Sequence, residues 1–202
     1  MQRQLDLFGR GAPAFDARFA ALRRTHLAHG AWIDHARGWV ANHDALFDQL
    51  EQAVPWREET MHLYDREVVV PRLLGSLHDT PGGVLPLIEA MRRALSARYG
   101  EDFVRVTAAL YRDGKDSVAS HGDTTARDMI EALVATVSLG APRRLLMKPT
   151  EGGASLAFEL GGGDLFVMGG TAQRTWRHGI PKVAHAGPRI AVMFRPRWGE
   201  SY

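Results

Sequence analysis

The chain contains no cysteine. That absence excludes a disulfide framework and any thiolate metal site, so a bound metal would have to be held by histidine and carboxylates. Long apolar runs are missing too. No stretch approaches the roughly 18 to 20 apolar residues that span a bilayer, and the N-terminal MQRQLDLFGRGAP lacks the continuous apolar segment of a secretory signal. The expectation is a cytoplasmic protein with no membrane contact. Internal repeats and low-complexity linkers are absent as well, and nothing in the pattern marks an obligate protein partner. Lysine is scarce: 22 of the 25 basic residues are arginine, and the formal net charge is only +2. So small a net charge permits nucleic-acid binding without demanding it, because such binding needs a localised basic face. Arg92, Arg93, Arg143, Arg144 and Lys148 are candidates for that face, and otherwise read as solvated surface cations.

What is present suits one domain over residues 1–202, since 45% of the positions are hydrophobic. Residues 1–24 mix Gly, Pro and charge without a period and read as an arm. Ala31 to Val40 has extended character with Trp32 and Trp39 as core, and His26, His29, His35 and His43 as surface or turn residues. Asn42 or Asp44 can cap a helix that runs to about Ala53, with Leu46, Phe47 and Leu50 on one face and Pro55 ending it. Residues 55–79 are the least regular, with a short strand from Glu67 to Val70. Leu85 to Tyr99 is a helix, with Pro86 near its start and Gly100 just beyond its end. From Phe103 the pattern changes to short strands at 103–111, 133–139, 143–148, 154–160, 164–168, 173–179 and 187–195, separated by Gly, Pro and Asp. Many short strands imply a sandwich or barrel, and a jelly roll brings distant strands together at one mouth. The fold class is therefore α+β, with a double-stranded β-helix core over 103–197 buttressed by N-terminal helices.

Within the segment VASHGDTTARD, His121 and Asp123 stand two residues apart, so on an extended backbone both side chains point to one face. That geometry suits adjacent ligands of one metal, though an H-x-D alone is weak. Downstream, TWRHGIPKVAHAGPRIAVMFRPR adds His178 and two arginines six apart, Arg189 and Arg195. As a strand this stretch puts Ile190, Val192 and Phe194 on one side and Arg189, Ala191, Met193 and Arg195 on the other. Both faces look at least partly covered, and a buried arginine needs an anionic partner, usually a carboxylate gripped in bidentate fashion. Two histidines and one aspartate on a divalent metal, beside arginines awaiting an acid, fit the facial triad of non-haem Fe(II) oxygenases with a dicarboxylate cosubstrate.

The order of these pieces resembles the AlkB family of 2-oxoglutarate and Fe(II)-dependent dioxygenases: Tyr111-Arg112-Asp113-Gly114, His121-Gly122-Asp123, Ser138-Leu139-Gly140, Gly163-Asp164-Leu165, Trp176-Arg177-His178-Gly179-Ile180-Pro181, then Arg189 through Arg195. The resemblance covers about Phe103 to Pro196. It implies Fe(II) held by His121, Asp123 and His178, with His185 as a spare. It also implies 2-oxoglutarate held at its distal carboxylate by Arg189, with Arg195 near the keto-acid end and the Tyr111 hydroxyl assisting. Residues 55–79 then correspond to a nucleotide-recognition lid, making Trp56, Met61, Tyr64 and Arg72 candidates for substrate contact; an ordinary hairpin filling the core is the alternative. The implied activity uses O2 to dealkylate N-alkylated bases such as 1-methyladenine and 3-methylcytosine, in single-stranded DNA or in RNA. Formaldehyde, succinate and CO2 are released.

Three positions depart from the family pattern. Ala109 and Ala191 stand where the family commonly has asparagines that bind the cosubstrate. Thr125 stands where it often has an acid that contacts the base, and a hydroxyl carries no charge. Two other readings therefore stay open: the same oxygenase chemistry on RNA, a protein side chain or a small molecule, and a non-catalytic jelly-roll module that keeps the metal for structure. Trp176, at even spacing from His178, is read as packing beneath the metal rather than touching substrate.

Overall fold

In a computed structural model the chain is described over residues 11–63, 66–122 and 129–197, with backbone alone for 61–63 and 66–68. It forms three layers. Helices α1 (His43–Ala53) and α2 (Pro86–Tyr99) cover one face of a large antiparallel sheet, and a small antiparallel sheet covers the other. The large sheet has eight strands in the order β2 (Arg23–His26), β3 (Ala31–Ala36), β12 (Leu165–Gly170), β9 (Val134–Gly140), β14 (Arg189–Arg195), β7 (Arg105–Tyr111), β6 (Arg66–Ser76) and β5 (Arg57–Leu63). The small sheet runs β11 (Leu156–Leu160), β10 (Arg143–Pro149), β13 (Trp176–Ile180) and β8 (Val118–His121). A two-strand pair, β1 (Ala14–Phe15) with β4 (Val40–Ala41), and a single turn of helix, α3 (Ala172–Thr175), complete the set. This is the α+β jelly roll expected from the strand pattern.

The period-two alternation of β14 decides where the layers meet. Ile190, Val192 and Phe194 are buried among Leu46, Phe47, Leu50, Ile88, Met91 and Leu95 of the two helices, whereas Arg189, Ala191, Met193 and Arg195 face the space between the sheets. Strand β14 pairs β7 on one side and β9 on the other, with Arg189 opposite Tyr111 and Gly140, and Ala191 opposite Ala109 and Ser138. Helix α2 begins with Pro86, whose missing N–H falls where no intrahelical partner exists, and ends at Gly100 with φ 69, its N–H donating to the Ser96 carbonyl at 3.0 Å.

Several local expectations change. Asn42 occupies the first position before α1 but has φ 51, and its side chain donates to the Ala12 carbonyl at 3.1 Å instead of capping the helix. His35 lies within β3, where its Nε2 meets the Asp164 carboxylate at 3.2 Å, so it is an interior strand residue rather than a turn residue. Trp39 is core, whereas Trp32 is half-buried, stacked on Tyr99 and covered by the Arg24 guanidinium at 3.7 Å. The expected arm is partly built into the sheet. Residues 14–15 pair with β4, Phe15 and Phe19 pack on Trp39, and β2 forms the sheet edge; residues 1–10 lie outside the described residues. The short strand expected at Glu67 to Val70 is an eleven-residue strand that bulges. Glu58 pairs Leu73 and Thr60 pairs Val69, so Val70, Pro71 and Arg72 face Glu59 alone. Pro71 has no N–H to give to the ladder, and its carbonyl accepts from Ser117 N at 2.8 Å.

Candidate active site

His121 ends β8 and His178 lies in the middle of β13, and the two are direct cross-strand partners. Their ring centroids are 4.5 Å apart. Two glycines allow this approach. A Cβ at Gly122 would lie 2.6 Å from the Gln173 carbonyl oxygen, and one at Gly179 would lie 2.9 Å from the Val118 carbonyl oxygen, both closer than side chains tolerate. The His121 Nδ1 sits 2.8 Å from the Ala119 carbonyl. A carbonyl can only accept, so Nδ1 carries the proton and Nε2 keeps its lone pair for a metal. Asp123, the third candidate ligand, and Thr125 lie outside the described residues. Among the described residues no cluster of three metal-binding side chains forms, so the pair of imidazoles is what they contribute.

Both histidines line a cavity of about 450 Å³ between the two sheets, together with Tyr111, Arg189, Arg195 and Arg72. Arg189 is 1% exposed, and its Nε donates to Ser138 Oγ at 2.8 Å. Its Cζ lies 5.1 Å from the centre of the Tyr111 ring, and its Nη1 has no hydrogen-bond partner among the described residues. Burial pushes the guanidinium pKa down, yet arginine stays protonated in proteins. A buried cation with an open donor is costly unless an anion meets it. At the other end of β14, Arg195 Nη1 donates to Thr107 Oγ1 at 3.1 Å. The arrangement can therefore hold a divalent metal at the imidazoles and an anionic acid at Arg189 within one enclosure.

Other candidates fall differently. Arg72 lines the cavity and donates from Nη1 to the Ser117 carbonyl at 3.2 Å. Trp56 does not line it. Its ring packs against the helix-side core and its Nε1 donates to the Glu51 carbonyl at 3.0 Å, because the residue closes the end of α1 before the hairpin begins. Tyr64 lies outside the described residues, as does the side chain of Met61. Trp176 is 4% exposed, and its Nε1 reaches the Ala28 carbonyl at 3.3 Å, so it packs between the sheets. His185 is exposed and does not line the cavity. Two carboxylates unforeseen from sequence, Glu59 and Asp79, do line it. Arg143, expected at the surface, is 3% exposed. The signal was present: Arg143, Leu145 and Met147 alternate with Arg144, Leu146 and Lys148 along β10, and the first set is buried.

Comparisons with known proteins agree with this geometry. Residues 78–195 match the 2OG-Fe(II) oxygenase superfamily. The human alpha-ketoglutarate-dependent dioxygenase alkB homolog 3 is 30% identical over 177 residues, covering 77% of this chain and 62% of that protein. The DNA oxidative demethylase ALKBH2 of Bos taurus is 24% identical over 179 residues, covering 77% of this chain and 64% of that one. The chain thus spans about three fifths of the length of these relatives. In fold it is similar to the solved structure of OsALKBH1, with a TM-score of 0.60 at 12% identity over 87% of this chain and 100% of that one. A 2OG-Fe(II) family oxidoreductase from Burkholderia pseudomallei aligns with a TM-score of 0.51 at 17% identity, over 75% of this chain and 76% of that one. A facing pair of imidazoles, His121 with its Nδ1 engaged by a carbonyl, and a buried guanidinium awaiting an acid fit the cofactors this superfamily implies, Fe(II) and 2-oxoglutarate. With motif order, sheet architecture and similarity in accord, the chain belongs to the 2OG-Fe(II) oxygenase superfamily and, within it, to the AlkB family.

Proposed function

We propose that the chain is an Fe(II)- and 2-oxoglutarate-dependent dioxygenase that removes alkyl groups from nucleic-acid bases, with 1-methyladenine and 3-methylcytosine in single-stranded DNA as its lesion class. One observation carries the reading: the His121–His178 pair and the buried Arg189, which pairs with no carboxylate among the described residues, open into the same cavity. His121, His178 and Asp123 are the proposed metal ligands. Arg189, with its open Nη1, would hold the distal carboxylate of the cosubstrate, and Tyr111 flanks Arg189. Arg195, tethered to Thr107, keeps a second cation toward the keto-acid end. Bound Fe(II) and 2-oxoglutarate supply the O2-dependent hydroxylation of a substrate C–H, and hydroxylation at an N-methyl carbon releases formaldehyde alongside succinate and CO2.

What the chain itself does is bind and orient. Leu145, Ile180, Phe166 and Met168 form apolar walls that limit water. Among the described residues the cavity lining holds five arginines (Arg57, Arg72, Arg105, Arg189, Arg195) against two carboxylates, which favours a polyanion at its mouth. Glu59 and Asp79 supply the negative charge that a cationic methylated base calls for, where Thr125 supplies none. A base reaches such an enclosure by leaving its stack, which costs least when methylation blocks pairing or the strand is single.

The test is release of formaldehyde and succinate with Fe(II), ascorbate and 2-oxoglutarate, comparing single-stranded DNA carrying either lesion with unmodified DNA. Matched release only with the lesion supports repair. Succinate without formaldehyde on any DNA moves the substrate to RNA, protein or a metabolite, and failure to consume 2-oxoglutarate at all leaves a metal-binding module. Binding to single-stranded DNA should weaken steeply with added salt, because phosphate contacts release counterions.

A further inference from the structure

Arg143 opens β10 outside the cavity lining, and it is buried with no carboxylate on its guanidinium among the described residues. Its Nη1 donates to the Asp113 carbonyl at 3.1 Å, and its Nη2 donates to two carbonyls, Asp116 at 2.8 Å and Pro181 at 2.7 Å. Those carbonyls belong to the two segments that frame the histidine pair. Asp116 precedes β8, which ends in His121, and Pro181 follows β13, which carries His178. The β8–β13 ladder is short and irregular, with Val118 opposite Ile180, His121 opposite His178, and a register shift between. The Arg143 fork adds a rung just beyond the Val118–Ile180 pair, where the strands no longer pair. A backbone bond from Val183 N to the Gly114 carbonyl, 2.8 Å, joins the same two loops. The charge of the Asp116 carboxylate favours the Arg143 cation, but its hydrogen bonds go to Arg112, from Arg112 N and Nε at 2.8 Å and Nη2 at 3.0 Å, which fixes the loop so that its carbonyls turn inward. Arg143 also flanks Tyr111, its Cζ 5.6 Å from the ring centre, with Arg189 at 5.1 Å.

Resting on the metal-centre reading above, we propose that Arg143 is a positioning residue: its planar fork bridges the loops at Asp116 and Pro181 and so sets the spacing of His121 and His178. A cation sits here because several fixed donors on one rigid head can satisfy three converging carbonyls at once, which no apolar residue can.

The test uses the full chain with Arg143→Met, which removes fork and charge, and Arg143→Lys, which keeps the charge but not the planar fork; Arg144→Ala on the exposed side of the same strand is the control. Mn(II) affinity is measured by titration, the Co(II) absorption spectrum under anaerobic conditions reports coordination geometry, and circular dichroism with thermal melting reports folding. The expected result is a loss of Mn(II) affinity of about 10- to 100-fold in both Arg143 variants, as for loss of residues that orient metal ligands, with an altered Co(II) spectrum and a wild-type Arg144→Ala. A folded Arg143→Met chain with wild-type affinity and spectrum overturns the proposal. So does an Arg143→Lys chain indistinguishable from wild type, since charge rather than the fork would then be the agent. If neither variant folds, Arg143 is a determinant of the fold and the proposal is likewise overturned. Failure of the metal-centre reading looks different: the unsubstituted chain itself would bind neither Mn(II) nor Co(II).

Discussion

The two faces of the eight-stranded sheet use the same strands for opposite purposes. On the helix side Val106, Leu110, Val137, Leu139, Ile190, Val192 and Phe194 are buried in a continuous apolar layer. On the cavity side the intervening residues Thr107, Ala109, Tyr111, Thr136, Arg189, Ala191 and Arg195 line a polar enclosure. One face is closed and satisfied, and the other holds a buried guanidinium with an open donor. Because side chains alternate, chemistry and stability occupy adjacent positions yet remain separable by substitution.

That separation can be broken first at the metal pair. His178→Ala should reduce lesion-dependent succinate release to background and abolish Mn(II) binding, with the chain still folded by circular dichroism; full turnover in an iron-reconstituted variant would sink the site. Next comes the helix side. Phe194→Ala should destabilise by about 3–5 kcal/mol in denaturant titration, since a fully buried ring leaves a cavity, while any surviving folded enzyme keeps its 2-oxoglutarate KM. One position from a layer this closed, Arg189→Met should do the reverse. The 2-oxoglutarate KM is expected to rise roughly 10- to 100-fold, from the loss of a charge-assisted contact. Stability without cosubstrate should hold or increase, because an uncompensated buried charge is removed. A marked fall in melting temperature with an unchanged KM would invert the comparison.

A smaller effect sharpens the boundary between the faces. Burial pushes the Asp164 carboxyl up, but His35 and the backbone amides of Gly38 and Gly161 outweigh it and hold the group below the usual carboxylate range. A folded value below the unfolded one, which is about 4, means that Asp164 contributes its full stabilisation above that pH and loses it as pH falls through the lowered folded value. Acid unfolding of Asp164→Asn should therefore be less steep below about pH 4, as followed by fluorescence. The smallest effect belongs to Arg144. Its pair with Glu159, at 2.8 Å, is exposed on both sides, so Arg144→Ala should cost less than about 1 kcal/mol in the same denaturant titration.

Much of this was legible because strand periodicity is a local property. The alternation across Arg189 to Arg195, the helices ending at Ala53 and Tyr99, and most strands from Arg105 onward follow from residue order. Trp56 stays open between two readings in the sequence for a nonlocal reason: an aromatic just after Pro55 can turn toward the cavity or toward α1, and only the Glu51 carbonyl and the apolar layer show which. Glu59 and Asp79 escaped notice because a carboxylate in an irregular stretch looks solvated until the fold supplies a wall. The proline-centred bulge in β6 likewise depends on a partner strand.

Residue order alone carries the candidate donors and their spacing: no cysteine, an H-G-D, an H-G-I-P, and two arginines on one face of a strand. Those are matters of residue type and period, which the chain carries wherever it goes. The folded arrangement adds that His121 and His178 stand opposite each other, that Arg189 is buried beside Tyr111 with a donor unmet among the described residues, and that Arg143 ties together the loops adjoining β8 and β13. Burial and pairing across residues far apart in the chain are set by which strands become neighbours. No local window contains that information.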